Sequence, residues 1–251
     1  MKKNTEMILL ALYPASNDQW FLPLHAIYAL VPQLSGGGKR SLVHLLKKEE
    51  YITTVQVGTQ TRVYLDSRGR ELLISRFPAL SERWGQWSGG WACCVFVEAP
   101  RFDRQFRYLR QLLLKEGCFA LSRGVYIAPF PFTSTLMGEL SDRYIAATAV
   151  FTVGQWQFQR EHSFVLAHMG IADVLTAYSG VSSEITDLLG VIGNSTTASD
   201  QQKKLIRTVF DRFCESLGHD PGFASYYRGG LQMPTQLLSA LQPLLQLLSQ
   251  D

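Results

Sequence analysis

A helical pattern of apolar and polar positions follows a glycine-rich turn at residues 35–38. Leu42, Leu45 and Leu46 recur at the spacing of one helical face, which predicts that this face is buried. The other positions include Lys39, Arg40, Ser41, His44, Lys47 and Lys48. A helix with this pattern keeps its cations in water, so the segment predicts an amphipathic helix with a basic face.

A hairpin pattern comes next along the chain. Apolar and β-branched residues alternate with others over 51–57 and return over 61–65, after a short turn that contains glycine. Asp66 or Ser67 then supplies the short oxygen-bearing side chain that caps the start of a helix. Pro78 ends that helix, because proline cannot continue the backbone hydrogen bonds.

Two helical segments precede this region, one over about residues 5–13 and one that begins at Pro23. Three helices, a hairpin and a further helix, in this order, predict a winged-helix DNA-binding domain over residues 1–80. Such a domain places its third helix in the major groove and lets the hairpin tip follow phosphates. The predicted DNA-binding residues are Lys39, Arg40, Ser41, His44, Lys47 and Lys48 on the helix, with Thr61 and Arg62 on the hairpin. The alternative is that these charges only solvate an amphipathic helix.

Residues 90–154 show a different order of elements. Apolar and β-branched runs are separated by two amphipathic helical patterns, which predicts strand, helix, strand, strand, helix, strand. The predicted elements are a strand at 91–99, a helix at 102–117, strands at 119–121 and 125–129, a helix at 133–144 and a strand at 147–153. This is the order of a ferredoxin-like fold, and we expect this domain to dimerise.

The pattern is mainly helical over residues 155–251. Helices are predicted at 162–178, 182–192, 201–217 and 235–248. The last one carries a leucine stripe that we interpret as intramolecular core: Leu237, Leu238, Leu241, Leu244, Leu245 and Leu248. The predicted fold class is therefore α+β, with an N-terminal winged helix, a middle ferredoxin-like domain and a helical C-terminal region.

Composition adds a modest electrostatic signal. Hydrophobic residues make up 46% of the 251 residues and charged residues 18%, which is typical of a packed core rather than a disordered chain. The net charge is +3, and residues 1–78 alone carry ten Lys and Arg against six Asp and Glu, so the positive excess lies in the predicted DNA-binding domain. No apolar run reaches the ~18 residues of a membrane span.

The first residues and the cysteines suggest a location. The opening segment imitates a secretory signal, but Glu6 precedes a short apolar run, and we interpret the segment as the first helix of the DNA-binding domain. Cys93, Cys94, Cys118 and Cys214 show no metal-binding spacing and no dense disulfide pattern. We expect the adjacent Cys93 and Cys94 to be buried thiols in a reducing cytoplasm.

Three stretches of the chain resemble the PaaX-type transcriptional repressors, the family that controls phenylacetate degradation in bacteria. They are YITTVQVGTQTRVYLDSRGRELL at 51–73, WACCVFVEAPRFDRQFRYLRQLLLKEGCFALSRGVYIAP at 91–129 and RTVFDRFCESL at 207–217. The middle stretch is also similar to the fold of the small CRISPR-associated endonucleases. The resemblance implies a ligand-responsive repressor that binds double-stranded DNA as a homodimer, with an inducer resembling an aryl-acyl coenzyme A thioester. It implies no enzymatic activity and no cofactor.

Two other functions remain open from the sequence. Glu98 and Asp103 lie near the place where related endonucleases hold a divalent metal, so a metal-dependent nuclease built on the middle domain is the main alternative. Their ordinary interpretation is a surface residue at a strand end and a helix cap. A protein-interaction module is the third possibility, because flexible glycines at residues 36–38 raise the cost of ordering a recognition helix. His162 with His168, and Cys214 with His219, lack the spacing of a zinc site.

Overall fold

The computed structural model describes residues 2–15, 19–87, 89–97, 104–156, 165, 167, 169–193, 197–227 and 234–248. It has a mixed α+β architecture with two antiparallel sheets and a helical C-terminal region, which confirms the predicted class. The chain divides into two compact units. The first unit combines residues 1–81 with residues 173–251, and the second unit comprises residues 82–172.

The first unit begins with helices around a three-stranded sheet. Its elements are α1 (Lys3–Ala11), β1 (Leu22–Pro23), α2 (Leu24–Leu30), α3 (Gly36–Lys48), β2 (Ile52–Val57), β3 (Gln60–Leu65) and α4 (Ser67–Arg76), followed by a 3-10 turn (Pro78–Leu80). The strands lie in the order β1, β3, β2, and both neighbouring pairs are antiparallel. The helices and the hairpin predicted before residue 80 are therefore present.

The strand β1 was not predicted from the sequence. Leu22 pairs with Val63 and Pro23 with Arg62, on the side of β3 away from β2. A two-residue strand has no periodicity to detect, and proline is tolerated because β1 is an edge strand. The second helix consequently begins at Leu24, with Pro23 at the N-cap.

Four helices complete the first unit: α7 (Ile171–Ile192), α8 (Asp200–His219), α9 (Ala224–Tyr227) and α10 (Pro234–Leu247). The predicted break between residues 178 and 182 is wrong, because α7 is continuous over 22 residues. Tyr178, Val181, Ile185 and Leu188 are all buried at helical spacing, so one apolar stripe crosses the predicted break. Most of residues 162–170, the first part of the predicted helix 162–178, lie outside the described residues.

The helix α1 forms the centre of the first unit. Residues 8–12 are completely buried, so this helix is covered on all sides. The C-terminal helix α10 packs onto it, and the leucine stripe of α10 is buried as predicted. Gln242 of α10 is also buried and donates from Nε2 to the carbonyl oxygen of Tyr13 at 2.8 Å. The predicted domains 1–80, 90–154 and 155–251 stay a prediction, but the C-terminal helices share a compact unit with the N-terminal segment.

The second unit is a four-stranded sheet with two helices. Its elements are β4 (Trp91–Phe96), α5 (Arg104–Lys115), β5 (Phe119–Ser122), β6 (Val125–Ala128), α6 (Ser134–Arg143) and β7 (Thr148–Val153). The strand order is β5, β6, β4, β7, and every neighbouring pair is antiparallel. One core joins the strands to both helices, because Cys94 and Phe96 pack with Leu109 of α5 and Leu140 of α6.

The cysteines of the second unit are buried free thiols, as predicted for Cys93 and Cys94. Cys93, Cys94 and Cys118 are all buried and unbridged. Burial raises the pKa of Cys94 and Cys118 to about 12, so both thiols stay protonated and unreactive near neutral pH. Among the described residues, no helix is both long enough and apolar enough to cross a membrane.

Candidate nucleic-acid interface

The start of α3 differs from the predicted turn. Ser35 is the N-cap, and its Oγ accepts a hydrogen bond from the backbone N–H of Gly38 at 3.2 Å. The glycines at 36–38 therefore form the first turn of α3 rather than the turn before it. The cap explains the difference, because it satisfies a helix-start amide and offsets the poor helix propensity of glycine. Gly36 and Gly37 are exposed, so the helix begins with bare backbone facing solvent.

The buried side of α3 is rotated from the predicted one. Val43 is 8% exposed and Leu46 1%, whereas Leu45 is 50% exposed. The prediction that Leu45 belongs to the core is wrong. The sequence is compatible with two overlapping apolar stripes on this helix, and contact with the neighbouring elements selects the one that includes Val43.

Most of the predicted DNA-binding residues share one solvent-facing side of α3. Lys39 is half-buried on the opposite side, towards the core. We call the other side the α3 polar face; it consists of Arg40, Ser41, His44, Lys47 and Lys48, all exposed. Within the described part of the chain, none of its cations forms an ion pair. The structure thus groups five of the predicted residues and leaves their charges unneutralised, with the exposed Leu45 at the edge of the same face.

The end of α3 sets the direction of the hairpin. Glu49 is the C-cap, and Glu50 adopts the left-handed conformation with φ 59°. The N–H of Tyr51 donates to the Leu46 carbonyl at 2.9 Å and the N–H of Glu50 to the Lys47 carbonyl at 3.0 Å. These two bonds are those of a Schellman motif, which ends the helix and turns the chain directly into β2.

The hairpin has a tight two-residue tip. Val57 pairs with Gln60, which leaves Gly58 and Thr59 as the loop, and Gly58 has the positive φ of 59° that a hairpin turn of this kind requires. The Gln56 amide braces the tip, donating to the Gly58 carbonyl oxygen at 3.0 Å and accepting from Thr61 Oγ1 at 2.7 Å. Thr61 is therefore a half-buried supporting residue close to an exposed tip.

Arg62 lies farther from the tip than the sequence prediction placed it. It is opposite Val55, three residue pairs from the loop, and it is half-buried. Its guanidinium carbon lies 4.4 Å from the centre of the Phe21 ring, which is a cation–π contact. This stacking ties β3 to the segment that precedes β1, and it holds the guanidinium away from the loop.

The start of α4 is also organised differently. Asp66 is at the predicted N-cap, but its carboxylate makes no capping bond and instead accepts from Thr53 Oγ1 at 2.6 Å. The predicted cap position is correct and the predicted role of the side chain is wrong. The bond joins the base of the hairpin to α4 across neighbouring strands.

The residues considered for metal chemistry are not brought together in the described structure. Glu98, Asp103, His162 and His168 lie outside the described residues. In the described ranges, no group of three or more His, Cys, Asp and Glu side chains is placed to hold a metal ion. The metal-dependent nuclease therefore stays a prediction from sequence.

The comparisons with known proteins leave the family open. No protein-family model and no curated protein matches this chain. A solved structure to which it is similar is that of the uncharacterized protein Rv0674 from Mycobacterium tuberculosis, with 17% sequence identity, a TM-score of 0.37 and coverage of 94% of this chain and 90% of that one. A likeness of this strength carries no argument about fold or function.

Proposed function

We propose that this protein is a DNA-binding transcriptional regulator of the PaaX type, which represses its target as a homodimer. The observation that carries the proposal is the α3 polar face, an exposed row of unpaired cations beside a hairpin with a free tip. Unpaired Lys and Arg side chains attract DNA phosphates without first losing an internal partner.

The connectivity of the first unit supports a winged-helix reader. A short strand lies between α1 and α2, α3 follows, and the β2–β3 hairpin completes a sheet in the order β1, β3, β2. A helix-turn-helix with an attached hairpin is the arrangement in which the second helix of the motif enters the major groove. In this proposal α3 is that helix, and Gly58 and Thr59 lie over the neighbouring phosphates.

The second unit supports a ferredoxin-like domain that joins two copies of the chain. Its element order is strand, helix, strand, strand, helix, strand, and its strand order places the first and third strands side by side in the centre. Two readers in one dimer double the number of phosphate contacts and match two related half-sites. An inducer that resembles an aryl-acyl coenzyme A thioester would act by favouring a dimer state that no longer fits both half-sites.

The residues of the α3 polar face have different proposed roles. Arg40 and Ser41 belong to the first half of the helix, His44 follows one turn later, and all three are the proposed contacts to base edges. Lys47 and Lys48 follow in the last turn and are the proposed phosphate contacts. Leu45 is a further proposed contact, because an exposed aliphatic side chain in the major groove can pack against the methyl group of thymine. The sequence pattern missed it, since it assigned Leu45 to the buried face.

A salt series of DNA binding tests the proposal. The protein is titrated onto DNA from the region upstream of its gene and onto random DNA of equal length. We expect tighter binding to the upstream DNA at physiological salt. In the double variant Lys47→Ala/Lys48→Ala, the dependence of log K on log salt should flatten by about 0.9 for each phosphate that is no longer neutralised. The double variant Arg107→Ala/Lys115→Ala removes two exposed charges from α5 and should leave the slope unchanged.

Leu45→Ala separates base contact from charge. It should reduce the preference for upstream DNA and leave the salt slope unchanged, since an apolar contact neutralises no phosphate. It should also leave stability nearly intact, whereas Leu46→Ala removes a buried side chain and should cost about 2–5 kcal/mol of unfolding free energy. An unchanged salt slope in the Lys47→Ala/Lys48→Ala variant would move the interface away from α3, and equal binding of both DNAs by the wild type would contradict a specific regulator.

A further inference from the structure

Besides the α3 polar face, the first unit has a cavity lined by basic side chains. This cavity, of about 480 Å³, lies among α1, the segment that joins α2 to α3, and α8. Met7, Leu30 and Pro32 give it an apolar part, and Gln33, Lys204 and Arg207 give it a polar part. This volume is within the range of small-molecule sites, and apolar walls with a few converging polar groups are typical of such sites.

The charges in the cavity are unbalanced. Lys204, Arg207 and Asp211 follow one face of α8 at i, i+3 and i+7. Asp211 is already paired, because its Oδ1 lies 2.8 Å from Nζ of Lys3. Lys204 and Arg207 have no carboxylate partner among the residues that the structure describes. The cavity therefore keeps two positive charges without a counter-charge.

We propose that this cavity binds a small organic anion, with Lys204 and Arg207 holding its carboxylate or phosphate group and Met7, Leu30 and Pro32 covering its apolar part. An ammonium and a guanidinium at i and i+3 of one helix can both form charge-assisted hydrogen bonds to a single anionic group. The Gln33 amide supplies a further donor or acceptor at the rim.

Two neighbouring cavities lack this combination. The cavity of about 260 Å³ between α7 and α8 contains one cation, Arg212, which already pairs with Glu184. The cavity of about 340 Å³ beside Cys214 contains the ion pairs Lys3–Asp211 and Arg76–Glu6, so its two cations are already paired, and Glu215 adds a negative charge that repels an anion. Only the cavity at Lys204 and Arg207, of these three, has cations that are free to accept a ligand.

The cavity adjoins the segment that leads into α3, the proposed DNA-recognition helix. Gln33 lies two residues before the Ser35 cap of α3, and its Nε2 donates to Asn4 Oδ1 of α1 at 2.7 Å. A ligand at Gln33 acts on the segment that places α3, and its negative charge lowers the positive potential near the start of that helix. We therefore expect the bound anion to weaken DNA binding; this consequence rests on the proposed function, whereas the anion site does not. By linkage, DNA would weaken anion binding by the same factor.

Fluorescence titration of the full-length protein with 1-anilinonaphthalene-8-sulfonate tests the site. This probe joins an aromatic body to one sulfonate group. We expect Lys204→Ala/Arg207→Ala to weaken its binding at least tenfold, because two charge-assisted hydrogen bonds are removed. Lys203→Ala, a residue of α8 that does not line the cavity, should change binding less than twofold. Circular dichroism and thermal unfolding establish that each variant is folded.

An uncharged probe and a single substitution test whether the two cations bind the sulfonate group. The uncharged analogue N-phenyl-1-naphthylamine should bind wild type and the double variant equally, since it has no anionic group for the cations. Lys204→Gln, at an exposed position, should weaken the sulfonate probe severalfold even if the double variant fails to fold. Unchanged probe affinity in either cation variant would overturn the site.

Competition and DNA binding separate the remaining possibilities. Benzoate and phenyl phosphate should displace the probe, and comparing them distinguishes a carboxylate ligand from a phosphate ligand; failure of both would overturn the proposed ligand class. Saturating probe should lower the affinity for upstream DNA in wild type but not in the double variant. Probe binding without an effect on DNA affinity would overturn the regulatory consequence alone, and probe binding by a protein that binds no DNA would overturn the proposed function alone.

Discussion

At the scale of single residues, Glu50 is a position where the backbone carries strain. Its φ of 59° lies in the left-handed region, which an L-residue with a side chain enters at a cost of roughly 1–2 kcal/mol. The position is C′ of a Schellman motif, where glycine is usual. A surface ion pair with Arg68, at 3.5 Å between charged atoms, does little to offset the strain because both side chains are more than half exposed.

Glu50→Gly should therefore stabilise the protein. We expect its free energy of unfolding to exceed that of Glu50→Ala by about 1 kcal/mol, because glycine enters the left-handed region without a Cβ penalty. Both variants lack the carboxylate, so their difference isolates the backbone effect. Urea unfolding followed by circular dichroism measures it. A glycine variant no more stable than the alanine variant would show that the strain is relieved elsewhere.

At the scale of elements, the contact between α4 and the end of α3 depends on the absence of a side chain at Gly69. A Cβ at this position would lie 2.3 Å from the carbonyl oxygen of Tyr51 and 2.9 Å from Cδ1 of Leu65. The Tyr51 carbonyl cannot move freely, since it accepts the backbone N–H of Asp66 at 3.0 Å. The close approach of two backbones holds α4 against the junction that leads from α3 into the hairpin.

Gly69→Ala should separate these elements. We expect a decrease of about 1–3 kcal/mol in unfolding free energy, the usual range for overpacking, although alanine is the better helix former. Gly180→Ala is the matched control, because Gly180 is exposed inside α7 and a Cβ there meets no atom within 4 Å. The control should gain about 0.5–1 kcal/mol. Thermal unfolding of both variants measures the difference, and a stabilised Gly69→Ala would contradict the close approach.

At the scale of the whole molecule, the first 81 residues depend on the C-terminal helices. The side chains at 8–12 of α1 are completely buried, and α8 and α10 both contact this helix. The buried hydrogen bond from Gln242 to Tyr13 joins positions 229 residues apart in sequence. Each large aliphatic side chain removed from water contributes about 1.5–3 kcal/mol, so exposing one side of α1 would consume much of a typical domain stability of 5–15 kcal/mol.

A fragment of residues 1–81 should therefore fail to fold by itself. We expect no cooperative thermal transition and rapid proteolysis, because α1 would expose apolar residues to water. Adding a separate fragment of residues 173–251 should restore the transition. Residues 82–172 have their own core and should unfold cooperatively as an isolated fragment. Cooperative unfolding of residues 1–81 alone would show that the N-terminal segment is an independent domain.

The same dependence explains which sequence predictions succeeded. Helices α3, α5 and α8 and the β2–β3 hairpin have strong local patterns, and the structure places them close to their predicted ranges. The exposed cations Arg40, Lys47 and Lys48 were also identified, because a row of charges between apolar positions is a local property. Residues 7–12 of the first helical segment are all apolar, which indicates burial on every side of the helix. The predicted domain boundaries did not take this pattern into account.

The sequence by itself determined most of the elements, their order and the exposed cations of α3, because periodicity, caps and charge act over a few neighbouring residues. Tertiary structure decided which face of α3 is buried and that Arg62 stacks on Phe21. It also decided that Glu50 adopts the left-handed conformation and that α8 brings Lys204 and Arg207 into one cavity with Gln33. These outcomes depend on contacts between segments that are distant along the chain. A short window of sequence contains only one side of each such contact.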